Sequence, residues 1–182
     1  MSFFVVSVQP RREPQFLQAA RKIGRAGGPL AGITFHWPQR QLTIRRKGKK
    51  LETLAPVFAG YIFFETDEIT QDLFRAVKRL PGFYRFLESN DRIRPLLPRD
   101  YDIVSHFVKL GGIIGKSQAR LDENQRIRVL HGPLEGLEGL IVRIDKRKQR
   151  AKVRLDLYKE SFLVDFGLEL LSGEEGPQPG TT

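Results

Sequence analysis

Pro56-Val57-Phe58-Ala59-Gly60-Tyr61-Ile62-Phe63-Phe64-Glu65 is the longest apolar run in the chain, preceded by a strongly basic stretch and followed by Asp67-Glu68. We read it as the central strand of the N-terminal half. A pleated strand sends alternate side chains to opposite faces, so Tyr61 and Phe63 share one face while Ile62 and Phe64 share the other. Both faces are apolar. One can bury against helices, but the second then needs a cover, and no other segment obviously supplies it. The run either belongs to a two-sided core or docks a partner.

Working outward toward the N-terminus, Gln41-Leu42-Thr43-Ile44-Arg45-Arg46 alternates, Lys47-Gly48-Lys49-Lys50 turns, and Leu51-Glu52-Thr53-Leu54 returns, a hairpin pattern. Its tip is rich in Lys and Arg and free of acids, which suits either a backbone-phosphate contact or a solubilising end. Gly32 to Trp37 predicts a strand ended by Pro38, and Phe3 to Val8 a first strand ended at Gln9-Pro10. Between them, Phe16, Ala20 and Ile23 recur at helical spacing from Arg11 to about Ala26, where Gly27-Gly28-Pro29 stops the pattern. The opposite stripe, Arg11, Gln15, Gln18, Lys22 and Arg25, is polar to basic and reads as a solvated face or a nucleic-acid-facing ridge.

Toward the C-terminus, Asp67 to Thr70 favours a helix start, with Ile69, Leu73, Ala76, Val77 and Leu80 facing inward. Phe83-Tyr84-Arg85-Phe86-Leu87 predicts a short strand, and Pro98 to Leu110 a helix burying Ile103, Val104, Phe107 and Val108. The order β-α-β-β-β-α-β-α implies an α+β fold, an N-terminal antiparallel sheet with flanking helices over residues 1–110. Residues 111–120 have a linker's composition. Over 121–172 the character changes: Gln125 to Leu130 and Lys152 to Leu157 alternate, Leu140 to Ile144 reads as a buried strand, and Ser161 to Phe166 makes a fourth. Strands at this spacing without helical pattern predict a small, stable all-β barrel. Residues 173–182, with Pro177 and Pro179, read as a disordered tail.

The 182 residues carry a net charge of +10, and it is unevenly spread. Residues 1–120 hold 21 Lys and Arg against 10 Asp and Glu, whereas 121–172 hold 10 against 9. Such a field favours a polyanion, nucleic acid being the commonest, because binding releases its condensed counterions. The chain has no Cys, which excludes disulfides, thiolate metal sites and a Cys nucleophile and suits a cytoplasmic setting. The apolar start breaks at Gln9-Pro10-Arg11-Arg12, too early for a signal peptide or a membrane span.

Little in the sequence asks for catalysis. Gly111-Gly112-Ile113-Ile114-Gly115-Lys116-Ser117 looks like a phosphate-binding loop, but the first Gly would have to stand where Leu110 does, and a helix rather than a strand precedes it. His36, His106 and His131 sit singly in different elements without metal-ligand spacing. No Gly-x-Ser-x-Gly elbow and no recognisable carboxylate pair is present. We therefore expect no enzyme, cofactor or metal. Gly60-Tyr61-Ile62-Phe63 with Phe83-Tyr84-Arg85-Phe86 partly matches an RNA-recognition sheet, leaving base stacking, core and protein docking open for these aromatics.

The strongest local signature lies in the C-terminal part, Arg126-Ile127-Arg128-Val129-Leu130-His131-Gly132-Pro133-Leu134-Glu135-Gly136-Leu137-Glu138-Gly139-Leu140-Ile141. Gly132-Pro133 turns the chain off a strand, Leu134 and Leu137 plug a barrel, and Gly136 and Gly139 permit tight backbone geometry. The stretch resembles a KOW motif. Phe3-Phe4-Val5-Val6 with Arg11-Arg12-Glu13, the Pro56–Glu65 run, then Val77, Pro81-Gly82-Phe83 and Phe86 resemble the N-terminal domain of the NusG family, in that family's order. Ile144 to Val153 with Gly167-Leu168-Glu169 is similar to the LoaP barrel, so the chain resembles a specialised paralogue of the RfaH and LoaP kind, although Phe3-Phe4 replaces the usual Trp-Tyr and Ala59 a usual Pro.

The resemblance implies a cytoplasmic, monomeric transcription elongation and antitermination factor, operon-specific in the manner of those paralogues, that binds the clamp helices of RNA polymerase. It implies Tyr61 and Phe63 as apolar anchors, with Phe4 and Phe86 as neighbours. Arg11, Arg12, Lys22 and Arg25 on the helix, and Arg45, Arg46, Lys47, Lys49 and Lys50 on the hairpin, would face nucleic acid, either non-template DNA or nascent RNA. The barrel would meet a ribosomal protein, a termination factor, or RNA through Lys146, Arg147, Lys148 and Arg150. A ribosome-associated KOW protein that binds RNA, and a housekeeping NusG, are the alternatives.

Overall fold

β-Branched and aromatic residues from Ser2 to Val8 form strand β1, and helix α1 follows at Glu13–Arg25 with Pro14 in its first turn, where a missing N–H costs nothing. The computed structural model describes residues 2–124, 126–158 and 160–171; the predicted tail at 173–182 lies outside them. Of the predicted strand at Gly32–Trp37 only β2, Phe35–His36, forms. Strands β3, Gln39–Arg46, and β4, Lys49–Pro56, make the basic hairpin, closed by two residues rather than four. Lys47 and Gly48 both have positive φ, at 49° and 77°, as a type I′ turn requires.

The decisive strand is shorter than its apolar run. Pro56 ends β4, Val57–Gly60 turn, and β5 covers only Tyr61–Thr66. Helix α2, Gln71–Lys78, is capped by Thr70, whose hydroxyl accepts from the Leu73 amide at 3.2 Å. Strands β6, Phe83–Phe86, β7, Glu88–Ser89, and β8, Arg92–Ile93, precede helix α3, Pro98–Lys109. The stretch read as a linker is not one: β9, Ile113–Ile114, and β10, Ser117–Leu121, lie in it, because its Ile and alternating residues find sheet partners elsewhere. Strands β11, Ile127–His131, β12, Ile141–Asp145, β13, Arg150–Leu157, and β14, Glu160–Leu170, complete the chain.

Two compact units result. The first takes the chain up to Gln39, then Ala55–Ile113 and Asp156–Glu160. Its sheet has the order β2-β5-β1-β6, antiparallel throughout. One face, with Phe4, Val6, Ile62, Phe64 and Phe86, packs against α1 and α2 through Phe16, Leu17, Leu73 and Val77. The other face does have a cover. Phe63 packs edge-on against Phe58 with ring centroids 5.5 Å apart, and Phe58 against Phe107 of α3 at 6.4 Å. Helix α3, beginning more than thirty residues after β5, supplies the burial that the local sequence left open.

The second unit takes Arg40–Leu54, Ile114–Leu155 and the chain from Ser161 onward. Its main sheet runs β11-β10-β14-β13-β12, with β10 and β14 parallel and β10 and β11 antiparallel. Ala151, Val153, Leu155, Val164, Phe166 and Leu168 are buried, the inward half of the alternation read from the sequence. Strand β12, expected to be buried, is an edge strand among the described residues, and Val142, 48% exposed, falls at a register shift in its pairing with β13. The hairpin joins this unit through Arg150, which donates to the Thr43 carbonyl at 3.0 Å.

Candidate functional site

The register of the first sheet fixes which aromatic side chains can meet a partner. Ser7 of β1 stands opposite Tyr61 of β5 on one side and Arg85 of β6 on the other. Directly opposed residues project to the same face, so Tyr61, Ser7 and Arg85 form a row across it. Phe63 shares that face but is fully buried beneath Phe58 and α3. Phe4 and Phe86 are on the helix-packed face, buried with Phe64 and the α2 residues. Three of the four expected anchors are therefore core residues in this fold, because helices cover both faces of the sheet. Tyr61 alone is half-buried, with exposed Arg85 in its row, and the Arg85 guanidinium stands 5.9 Å from the ring of Tyr84, which is 65% exposed. Tyr84 stood in plain view within Phe83-Tyr84-Arg85-Phe86; only strand pairing could separate it from its buried neighbours.

The Tyr61 hydroxyl donates to Glu160 Oε2 at 2.9 Å. Burial pushes its pKa up to about 12, reinforced by the Glu160 hydrogen bond and charge and opposed by Arg85. The phenol stays neutral under ordinary conditions and acts as an amphipathic contact: an apolar ring with one donor. Beneath the row, buried Glu13 accepts from the Gly60 amide at 3.0 Å, tying the start of α1 to the turn that launches β5.

The expected basic residues are exposed. Arg11 and Arg12 precede α1, while Lys22 and Arg25 occupy its last turn, where cations also offset the helix dipole. Arg21, Lys22 and Arg25 border a cavity of about 860 Å³ together with Trp37, whose indole N–H is buried without a partner among the described residues. Neither Arg21 nor Trp37 was singled out from sequence, since the Trp37 ring reaches α1 only through tertiary packing. Arg45, Arg46, Lys47, Lys49 and Lys50 decorate the hairpin. Lys146, Arg147 and Lys148 are exposed in the β12–β13 turn, and Arg150 begins β13 with its guanidinium 3.6 Å from Asp165.

In the second unit Gly132 has φ +111°, and a Cβ there would lie 2.7 Å from Ser117 Cα. Glycine is thus required both by conformation and by close backbone approach. Pro133 and Leu134 are buried, and the Leu134 amide donates to the buried Ser117 hydroxyl at 3.0 Å. Leu137 is half-buried; Gly136 takes φ +76°, the glycine-favouring backbone expected there, while Gly139 does not, and the close backbone approach occurs at Gly132. Among the described residues no group of three or more His, Asp or Glu side chains is placed to hold a metal ion. No helix among them is long and apolar enough to cross a membrane.

A two-faced α+β unit combined with a β unit carrying the Gly132-Pro133-Leu134 turn is the architecture implied by the sequence resemblance. A family model described as the transcription termination factor nusG matches residues 1–105, more than half of the chain. The chain belongs to the NusG family. A NusG-family relative from Borreliella burgdorferi, described as a transcription termination/antitermination protein, is 27% identical over 178 residues, covering 92% of this chain and 96% of the relative. A Thermus thermophilus protein of the same description is 27% identical over 132 residues, covering 68% and 70%. A solved structure described as "Domain interaction in Thermotoga maritima NusG" superposes with a TM-score of 0.51 at 18% identity, covering 91% of this chain and 93% of that one. This last likeness establishes the fold.

Proposed function

We propose that the protein is a transcription elongation and antitermination factor that binds RNA polymerase at its clamp helices through residues 1–110, with residues 121–172 reserved for a further partner. Membership of the NusG family over residues 1–105 is the observation that carries this reading. The Tyr61, Ser7 and Arg85 row, with Tyr84 beside it, supports a docking surface that combines an aromatic anchor with a cation, the residue types enriched in binding hot spots. The mechanism is binding, not bond-making: a factor that prefers one polymerase conformation shifts the equilibrium by its differential affinity for the two. An operon-specific role rests on the likeness of Ile144 to Val153 and Gly167 to Glu169 to the specialised paralogues. The site of action is the cytoplasm.

The test is co-precipitation of polymerase with Tyr61→Ala and with Arg85→Glu. Each should weaken capture by about 10-fold or more, a hot-spot-sized loss, while circular dichroism stays that of the parent protein. Undiminished capture by both folded variants would reject this surface.

A further inference from the structure

The hairpin and the β12–β13 turn were read from sequence as two basic segments for two different partners, but within the second unit they line one cavity. We propose that this cavity is a single phosphate cradle for a nucleic-acid backbone. It has a volume of about 540 Å³ and is lined by Arg45 and Lys50 from the hairpin and by Lys146, Arg147, Lys148 and Arg150 from the turn and the start of β13. No carboxylate is among its lining residues. Among the described residues Arg45, Lys50, Lys146 and Arg147 make no ion pair, although Arg147 feels the charge of Asp145, and the acids nearby have partners of their own. Asp165 lies near Arg150 and Lys152, Asp145 near Lys148, and Glu52 accepts from Thr43 and Lys116.

Both arms are held in shape by their own hydrogen bonds. The hairpin arm is fixed by its two-residue turn, and Arg150 straps it to β13 by donating to the Thr43 carbonyl. In the other arm Asp145 Oδ1 accepts from the Lys148 amide at 2.9 Å and Gln149 takes φ +53°, so consecutive cations are displayed from a closed loop. The Arg150 Nε is buried and lacks a partner among the described residues, a charged donor still to be satisfied at the cavity wall. Six cations converge, and with two of them already paired to Asp145 and Asp165 the remaining four leave an excess of positive charge that favours a polyanion. A phosphodiester supplies acceptors only, which matches a lining of donors. A protein partner's interface would centre on apolar side chains and be poor in Lys, whereas Ile44 is the one aliphatic side chain in this lining.

The proposal rests on the nucleic-acid reading of the basic residues and is independent of polymerase binding. It is tested with the full chain by fluorescence anisotropy, using a labelled eight-nucleotide RNA and the DNA of the same sequence over a salt titration. Arg45→Ala and Arg147→Ala should each weaken binding of the same probe. Each should also lower the salt slope by about 0.7 to 0.9 per cation removed, the value for single strands and duplexes. Arg75→Ala combined with Lys78→Ala, exposed on α2 and outside the basic surfaces named above, should leave that binding unchanged. The ratio of RNA to DNA affinity identifies which nucleic acid the cradle takes. If Arg45→Ala and Arg147→Ala bind as the parent protein does while Lys22→Ala with Arg25→Ala loses affinity, the cradle is wrong and nucleic-acid binding stands. If no variant changes affinity or slope, both are wrong.

Discussion

Strand β5 and the basic hairpin with its partner turn were the two regions from which most could be expected, and they turned out oppositely. The β5 residues Phe63 and Phe64 are fully buried, whereas Arg45, Lys50, Lys146 and Arg147 are exposed and brought to one cavity. An apolar side chain needs only some surface to lie against, and a helix of the same chain serves as well as a partner. A cluster of like charges cannot be buried at reasonable cost without counter-charges, so it stays at the surface wherever the fold puts it. Apolar runs therefore locate core, and charge runs locate interface, more reliably than either identifies a partner.

Truncation within β5 tests the first half of that contrast most severely. Phe63→Ala empties a fully enclosed site beneath Phe58 and should cost about 3–5 kcal/mol in denaturant unfolding. Tyr61→Ala, at a half-buried position, should cost well under half of that. Equal losses at the two positions would mean that the Tyr61 edge is as enclosed as the core, and would remove it as a docking surface.

How far the sequence could be read follows the same line. Helices α1 and α3 and strand β1 were legible because their apolar spacing is local. The α2 cap was half legible, since acidic residues announced the helix start but Thr70 supplies the cap. What could not be read was long-range. Helix α3 covers Phe63 from across the first unit, β10 pairs in parallel with β14, and the supposed linker provides two strands. The basic residues were named from sequence almost in full. Their convergence depends on Arg150 bonding the Thr43 carbonyl across a separation of 107 residues, which no local pattern encodes.

Next in size is the turn that builds the second unit. Gly132→Ala combines an unfavourable positive φ with a contact of 2.7 Å to backbone, and should destabilise by about 2–4 kcal/mol in thermal or denaturant unfolding. Gly48→Ala, at φ +77° with nothing within 4 Å, carries only the conformational cost, about 1 kcal/mol. A smaller effect at Gly132 than at Gly48 would show that the Ser117 backbone yields freely.

Tyr61→Phe is smaller again. It removes the hydrogen bond to Glu160 and should cost about 0.5–1.5 kcal/mol near neutral pH. The folded phenol has its pKa raised from 10.0 to about 12, so the neutral form is favoured by folding. That contribution is complete below pH 10 and disappears as pH rises through about 12. The difference in ultraviolet absorbance titration between the parent protein and Tyr61→Phe should show a midpoint near 12. A midpoint at or below 10 would place the hydroxyl in open solvent.

The smallest effect on stability belongs to the cradle, and its smallness is informative. Arg147 makes no ion pair among the described residues, and the β12–β13 turn is held by Asp145 and the Lys148 amide, with Arg147 adding only a longer-range attraction to Asp145. Arg147→Ala should therefore change unfolding free energy by no more than about 0.5 kcal/mol. Its sign should be stabilising at low salt, because repulsion from the cavity's other cations outweighs the attraction of Asp145. Added salt screens exposed charges over about 10 Å at 0.1 M, so it should stabilise the parent protein more than the variant. Surfaces shaped by folding alone do not keep such repulsion, since relieving it is easy. A clear loss of stability in Arg147→Ala at all salt concentrations would instead make this residue part of the scaffold and leave the cavity short of a free cation.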